Sequence, residues 1–306
     1  MKLVSYRRGD GSESVGILRD DLHGPYDLIR ALEIYAVASN LCVPIVLDMM
    51  DLLNAGLVDV ELLRGIESFV ESHNLLEDLS DADDFTLMAP IGQPGAIYAL
   101  GRNYPAHARE TGAEVPTEPI VFGKAVTSIV GPEEDVIYKK GLTRVDPEAE
   151  LAIIIGKEGS EIPEEEAMSY VAGYTALNDV TARDLQKTFQ ERRHPWFVAK
   201  GIDTFCPIGP CITLPDEIGE PIELDVKLYV NGELRQSDNT RSMTFSVPFM
   251  ISWISRYFTL YPGDIITTGT PEGIAPVHPG DVMEVQVDKI GVLRNRVAGC
   301  RSKVES

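Results

Sequence analysis

Three carboxylates set the chemistry that this sequence can support. Glu148 and Glu150 lie immediately before the apolar run Leu-Ala-Ile-Ile-Ile-Gly (151–156), whose length and β-branched content predict a buried strand. Side chains two residues apart on a strand share a face, so both glutamates project together. Like charges held side by side repel, and a bound cation relieves them; two solvated glutamates at a strand end are the plain alternative. Asp179 adds a third carboxylate. It opens Asp-Val-Thr-Ala-Arg-Asp-Leu-Gln, directly after the apolar run Tyr170–Leu177. A helix over 179–191 that starts at Asp179 carries Arg183 (i+4) and Gln186 (i+7) on its face, although a helix cap with Arg183 as its partner has the same spacing.

Other polar residues sit where a solvated surface would not need them. In Gly-Arg-Asn-Tyr-Pro-Ala-His-Ala-Arg-Glu (101–110), Pro105 suits a first helical turn, which sets His107 and Glu110 at i and i+3 on one face. A carboxylate beside an imidazole orients it and raises its basicity, as activation of a water requires; a surface His–Glu pair has the same spacing. Lys200 is a basic residue among the apolar and aromatic side chains of 194–205, a setting in which a charge has a polar task. Thr-Gly-Thr-Pro-Glu-Gly (268–273) is a turn after a strand, and its hydroxyls and N–H groups could grip a small carboxylate.

The elements that must position these residues are mostly strands. Residues 2–6 and 14–19 alternate as two short strands, the first read as an edge strand, and two helical stretches follow; Leu62, Leu63, Ile66, Phe69 and Val70 form the apolar face of the second. The acidic stretch Glu77–Asp84 reads as a linker. Beyond it, strand-length runs recur between Gly and Pro: Phe85–Ala89, Ala96–Leu100, Ile120–Phe122, Leu151–Gly156, Leu224–Val230, Asp264–Thr268, Val282–Val287 and Val292–Val297. Asn231-Gly232 predicts a tight hairpin. Helices are expected only near 104–111, 163–171, 179–191 and 246–257. This pattern predicts a β-rich sandwich or roll rather than a regularly alternating α/β fold, and no GxGxxG or P-loop indicates a nucleotide cofactor.

Composition narrows the partners. A formal net charge of −21 over 306 residues disfavours a nucleic acid or an anionic membrane surface as partner, and reads as a solubilising surface or as adaptation to a salty interior. No stretch reaches the about 20 apolar residues that span a bilayer. The polar start does not read as a secretory signal, and four scattered cysteines form no metal spacing; each is expected to be a small buried hydrophobe in a reducing cytoplasm.

Taken in order, these segments resemble the fumarylacetoacetate hydrolase superfamily. The resemblance rests on Gly-Arg-Asn-Tyr-x-x-His-x-x-Glu (101–110), Phe-x-Lys (122–124), Asp-x-Glu-x-Glu-Leu (146–151), Gly-Tyr-x-x-x-Asn-Asp (173–179), Ala-Arg-Asp-x-Gln (182–186), Lys-x-x-Asp-Thr-Phe (200–205), Pro-x-Gly-Pro (207–210), Pro-Gly-Asp (262–264) and Thr-Gly-Thr-Pro-x-Gly (268–273). It implies an α+β, β-rich fold, a mixed β-sandwich roll over 81–306 with a small N-terminal α/β domain over 1–80, commonly dimeric. It implies Glu148, Glu150 and Asp179 as ligands of Mg2+ or Mn2+ (with Ca2+ as a stand-in in crystals). His107, Glu110 and Lys200 become catalytic residues, and Arg183, Gln186, Thr270 and Tyr104 substrate contacts.

The implied chemistry is C–C cleavage of an acylpyruvate or 2-oxo diacid through a metal-stabilised enolate, with His107 and Glu110 activating water. The rival on the same site is decarboxylation or isomerisation of a 2-hydroxyhepta-2,4-diene-1,7-dioate-type or oxaloacetate-type substrate. A rival of another class is a non-catalytic binder of metal and 2-oxo acid. Arg192 and Arg193 are read as partners for a distal substrate carboxylate, or as a basic surface loop.

Overall fold

The computed structural model describes residues 1–19, 22–81 and 84–300. Ala82 and Asp83, within the stretch expected as a linker, lie outside the described residues. An 11-stranded sheet runs in the order Tyr26–Asp27, Glu13–Leu18, Lys2–Arg8, Cys206–Thr213, Val171–Asn178, Ala149–Ile155, Ile265–Thr267, Ile97–Gly101, Ile120–Gly123, with two short strands joined beside this path. A second, five-stranded sheet runs Glu233–Asn239, Asp225–Val230, Val282–Val287, Gly291–Gly299, Val136–Tyr138. The β-rich α+β class read from the sequence is the class observed.

The strand Ala149–Ile155 is the centre of the molecule, buried along its whole length. Its alternation explains why. Leu151, Ile153 and Ile155 pack into one core with Val226, Leu228, Val285 and Val287 of the five-stranded sheet. Ala152 and Ile154 belong to a second core with Leu28 and Leu32 of the helix Leu28–Ala38, Leu52 and Leu53 of Met49–Asn54, and Leu63 and Ile66 of Val60–Ser72. Apolar side chains on both faces are what a strand covered on both sides demands. These three helices begin at aspartates (Asp27, Asp48, Asp59) whose side chains accept a backbone N–H, supplying one of the bonds that a helix start lacks.

Three expectations change. Lys2–Arg8 is not an edge strand: it pairs with Glu13–Leu18, with Phe85–Leu87 and with Cys206–Thr213, so the N-terminal segment shares the large sheet. The helix expected from Asp179 begins instead at Arg183; Asp179 directly follows the strand Val171–Asn178, and its carboxylate is committed to two lysines. Only Cys206 and Cys211 are buried, whereas Cys42 and Cys300 are exposed. The Asn231-Gly232 hairpin forms as read, with φ of 53° and 78°, the left-handed pair of a type I′ turn. No helix among the described residues is long and apolar enough to cross a membrane.

Ile153 is fully buried between the sheets, so Ile153→Ala should destabilise the protein by about 2–5 kcal/mol. Urea denaturation measures this; a loss below about 1 kcal/mol would mean that this strand is not the shared core.

Candidate active site

Antiparallel pairing brings the three carboxylates together. Ala149 pairs with Asn178, so the residue before one strand meets the residue after the other: the Asp179 N–H donates to the Glu148 carbonyl at 2.8 Å. One carboxylate oxygen each from Glu148, Glu150 and Asp179 lies within 4.8 Å of the others, and all three residues are buried. Ala152 pairs with Thr267 on the other side, which carries the turn after Ile265–Thr267 across Glu150. Thr267 Oγ1 and the Gly269 N–H, the latter at 2.8 Å, both donate to Glu150 Oε2.

Cations balance the cluster unevenly. Lys200 Nζ, at the end of the short helix Phe197–Lys200, bridges Glu148 Oε2 at 2.6 Å and Asp179 Oδ2 at 2.5 Å. Lys124 Nζ donates to Asp179 Oδ1 at 2.6 Å and to the Lys200 carbonyl. Arg183 donates to Glu148 Oε1 and, at 2.9 Å, to Asp146. Burial would raise Glu148, but the charges of Lys200 and Arg183 outweigh it and hold the group below the usual carboxylate range. Burial would lower Lys200, and Asp179 and Glu148 instead raise it. No ammonium or guanidinium among the described residues donates to Glu150. Burial, then the charge of Asp179, pushes it well above the ordinary 4.5. That residual negative demand, on a hard-oxygen donor set, fits a divalent cation such as Mg2+ or Mn2+ held by Glu148, Glu150 and Asp179.

The cluster opens on a cleft of about 680 Å3, lined also by His107, Glu110, Arg183, Gln186, Lys200 and Thr270. His107 and Glu110 lie on the helix Pro105–Glu110, with His107 Nδ1 3.2 Å from Glu110 Oε2, and the Gly273 N–H fixes the other carboxylate oxygen at 3.0 Å. Parallel pairing of Ile97–Gly101 with Ile265–Thr267 is why the dyad helix and the threonine turn leave the sheet at the same end. Asn103 ties them: its side chain donates to the Thr268 carbonyl at 2.8 Å and accepts the Phe245 N–H.

Two polar contacts have a fixed hydrogen-bond sense. Gln186 Oε1 accepts from Arg183 at 2.6 Å, which leaves its NH2 as the group to donate into the cleft. Gln236 Oε1 accepts the Ala149 N–H at 2.9 Å, while its Nε2 donates to the Pro271 carbonyl at 2.7 Å and to Thr270 Oγ1 at 2.9 Å. Thr270 therefore accepts from the protein and keeps its own hydroxyl proton for a ligand.

Among the residues singled out from the sequence, Tyr104 does not reach the cleft wall. Its ring is fully buried, its hydroxyl has no hydrogen-bond partner among the described residues, and it does not line the cavity. Arg192 and Arg193 are exposed and do not line the cleft either. Sequence reasoning left Asp146, Lys124 and Gln236 without a role. Asp146 continues the i, i+2 rhythm of Glu148 and Glu150, and Lys124 lies two residues past Phe122 in a strand context, so both had a signal. Gln236 had none, since its partners lie 34 to 87 residues away.

A family model described as fumarylacetoacetate (FAA) hydrolase C-terminal matches residues 96–298. The 2,4-didehydro-3-deoxy-L-rhamnonate hydrolase of Sphingomonas sp. strain SKA58 is 44% identical over 220 residues, 69% of this chain and 76% of that protein. The mitochondrial oxaloacetate tautomerase FAHD2B of Bos taurus is 42% identical over 221 residues, 70% of each. Among solved structures, fumarylpyruvate hydrolase from Pseudomonas aeruginosa in complex with Mn2+ and pyruvate superposes with a TM-score of 0.65 at 36% identity, covering 70% of this chain and 92% of that one.

The raised Glu150 gives a pH test. The unfolded chain loses this proton near 4.5 while the metal-free folded protein keeps it, so Glu150 erodes stability as pH rises above that value. Glu150→Gln removes the titration, and Mn2+ held by the cluster would require the ionised carboxylate of the wild type. Thermal unfolding from about pH 5 to about pH 8 should show the metal-free variant gaining on the wild type, and saturating Mn2+ should reverse the order. A constant offset would mean that Glu150 ionises normally.

Proposed function

The chain belongs to the fumarylacetoacetate hydrolase family, and from that premise we propose that it cleaves a C–C bond of a small 2-oxo acid, an acylpyruvate or 2-oxo diacid, with a divalent cation on Glu148, Glu150 and Asp179. The observation that carries this reading is the His107–Glu110 pair facing the carboxylate cluster across one cleft. A cation held there supplies Lewis-acid charge to the oxygens of the 2-oxo acid.

The chain's own groups then divide the work. With Nδ1 donating to Glu110, the imidazole of His107 keeps Nε2 free to take a proton from water, and the carboxylate stabilises the imidazolium that results. Glu110 cannot swing away without breaking its bond from Gly273. Lys200 and the Gln186 NH2, both on the cleft wall, are the donors that meet charge developing on a substrate oxygen. Thr270, its proton free, donates to the substrate carboxylate. In this proposal the protein acts in a reducing cytoplasm.

The name of the tautomerase relative favours a second reading, proton transfer on an oxaloacetate-type substrate at the same site. His107 separates the two, because only hydrolysis needs an activated water. With Mg2+ or Mn2+ and a panel of acylpyruvates and oxaloacetate, followed by mass spectrometry for cleavage and decarboxylation and by enol absorbance for tautomerisation, His107→Ala should lower hydrolysis about 100- to 10,000-fold while sparing most tautomerisation or decarboxylation. Hydrolysis that survives the change would remove His107 as the base.

A further inference from the structure

Arg102 is a guanidinium in the cleft that the proposed reaction does not use. It lines the same cavity as His107, Lys200 and Thr270. The other two arginines there are engaged, Arg183 by Asp146 and Glu148, and Arg144 by Asp146 at 2.9 Å. Arg102 has no carboxylate within ion-pair distance among the described residues. Its guanidinium instead stands 5.5 Å from the centre of the Trp196 ring.

That placement is built. Trp196 packs on the bare backbone of Gly101, where an added Cβ would meet the indole at 2.8 Å. The indole is edge-on to Phe122 at 5.6 Å, and the Phe122 ring lies 5.1 Å from Lys200 Nζ. An aromatic wall therefore joins Lys200 at one end to Arg102 at the other. The Arg102 backbone holds φ at 60°, a region that a residue with a Cβ occupies only when its surroundings fix it, and Asn103 beside it is pinned on both sides of its amide. Burial lowers the pKa of Arg102 with no carboxylate to offset it, the reverse of Arg183, so the site calls for an anion from outside the chain.

We propose that Arg102, held against Trp196, receives the distal carboxylate of the substrate, which makes the substrate class of this site a 2-oxo diacid rather than a 2-oxo monoacid. The assignment rests on the 2-oxo acid reading above. A planar, five-donor fork matches a carboxylate bidentately, and the aromatic face keeps the fork oriented before the ligand arrives. It takes the role that the sequence offered to Arg192 and Arg193. Lys187, exposed and also on the cavity wall, is the competing cation.

The test is calorimetric binding to the Mg2+-loaded protein of 2-oxoglutarate and 2-oxoadipate, each against the monoacid with a methyl group in place of the distal carboxylate, 2-oxopentanoate and 2-oxohexanoate. Wild type should favour the better-fitting diacid by about 10- to 150-fold, the range of a charge-assisted hydrogen bond. Arg102→Met, unbranched like arginine and so no more strained at this φ, should bring the ratio to about one by weakening the diacid alone, with an unchanged melting temperature. Arg102→Lys should keep part of the ratio, and Lys187→Met all of it. Equal binding of diacid and monoacid by wild type overturns the proposal and leaves the 2-oxo acid reading standing, as does collapse of the ratio in Lys187→Met but not in Arg102→Met. No binding of any 2-oxo acid overturns both.

Discussion

Burying three carboxylates within 4.8 Å of one another is the constraint on which the rest of the molecule depends. At an effective dielectric of about 20, two unit charges at that separation repel by about 3.5 kcal/mol. Were all three ionised, three such pairs would approach the whole stability of a typical domain, about 5–15 kcal/mol, and the raised Glu150 is part of the relief. The fold answers with Lys200, Lys124 and Arg183 on Glu148 and Asp179, and leaves Glu150 to two uncharged donors. Two of these positive groups, Lys200 and Arg183, also line the cleft.

Sheet geometry meets the constraint with little loop. Neighbours on both sides of Ala149–Ile155 end or turn beside its first residues: Val171–Asn178 delivers Asp179, and Ile265–Thr267 delivers the threonine turn. The parallel partner of the latter, Ile97–Gly101, leaves at the same end and delivers the dyad helix. The chemistry therefore sits on strand ends set by the central hydrogen-bond ladder. Because the central strand is packed on both faces, by the five-stranded sheet and by the N-terminal helices, those ends have little freedom to shift.

What could be read in advance follows from the range of each interaction. Glu148 with Glu150, and His107 with Glu110, are local pairs whose geometry is fixed by strand or helix period, so their spacing announced them. Asp179 was legible as a carboxylate but not as a strand end. It does not cap the helix, which starts at Arg183 after Ala182, and the two lysines that claim its side chain come from positions 124 and 200. Tyr104 came with the family resemblance and had no spacing argument of its own, and it is fully buried. Long-range partners such as Gln236 leave no local trace. The order of the large sheet is of the same kind, since the N-terminal strand pairs with residues beyond position 205.

Gln236 carries a consequence of its own. Both ends of its amide are tied to backbone groups that can act in one sense only, the Ala149 N–H as donor and the Pro271 carbonyl as acceptor. The amide therefore cannot flip, and the sense of its third bond passes to Thr270. A side chain on the second sheet thus sets which way a proton points in a cleft that it does not line. The polarity of the ligand contact is written into the packing of the two sheets, and the threonine by itself would leave it undetermined.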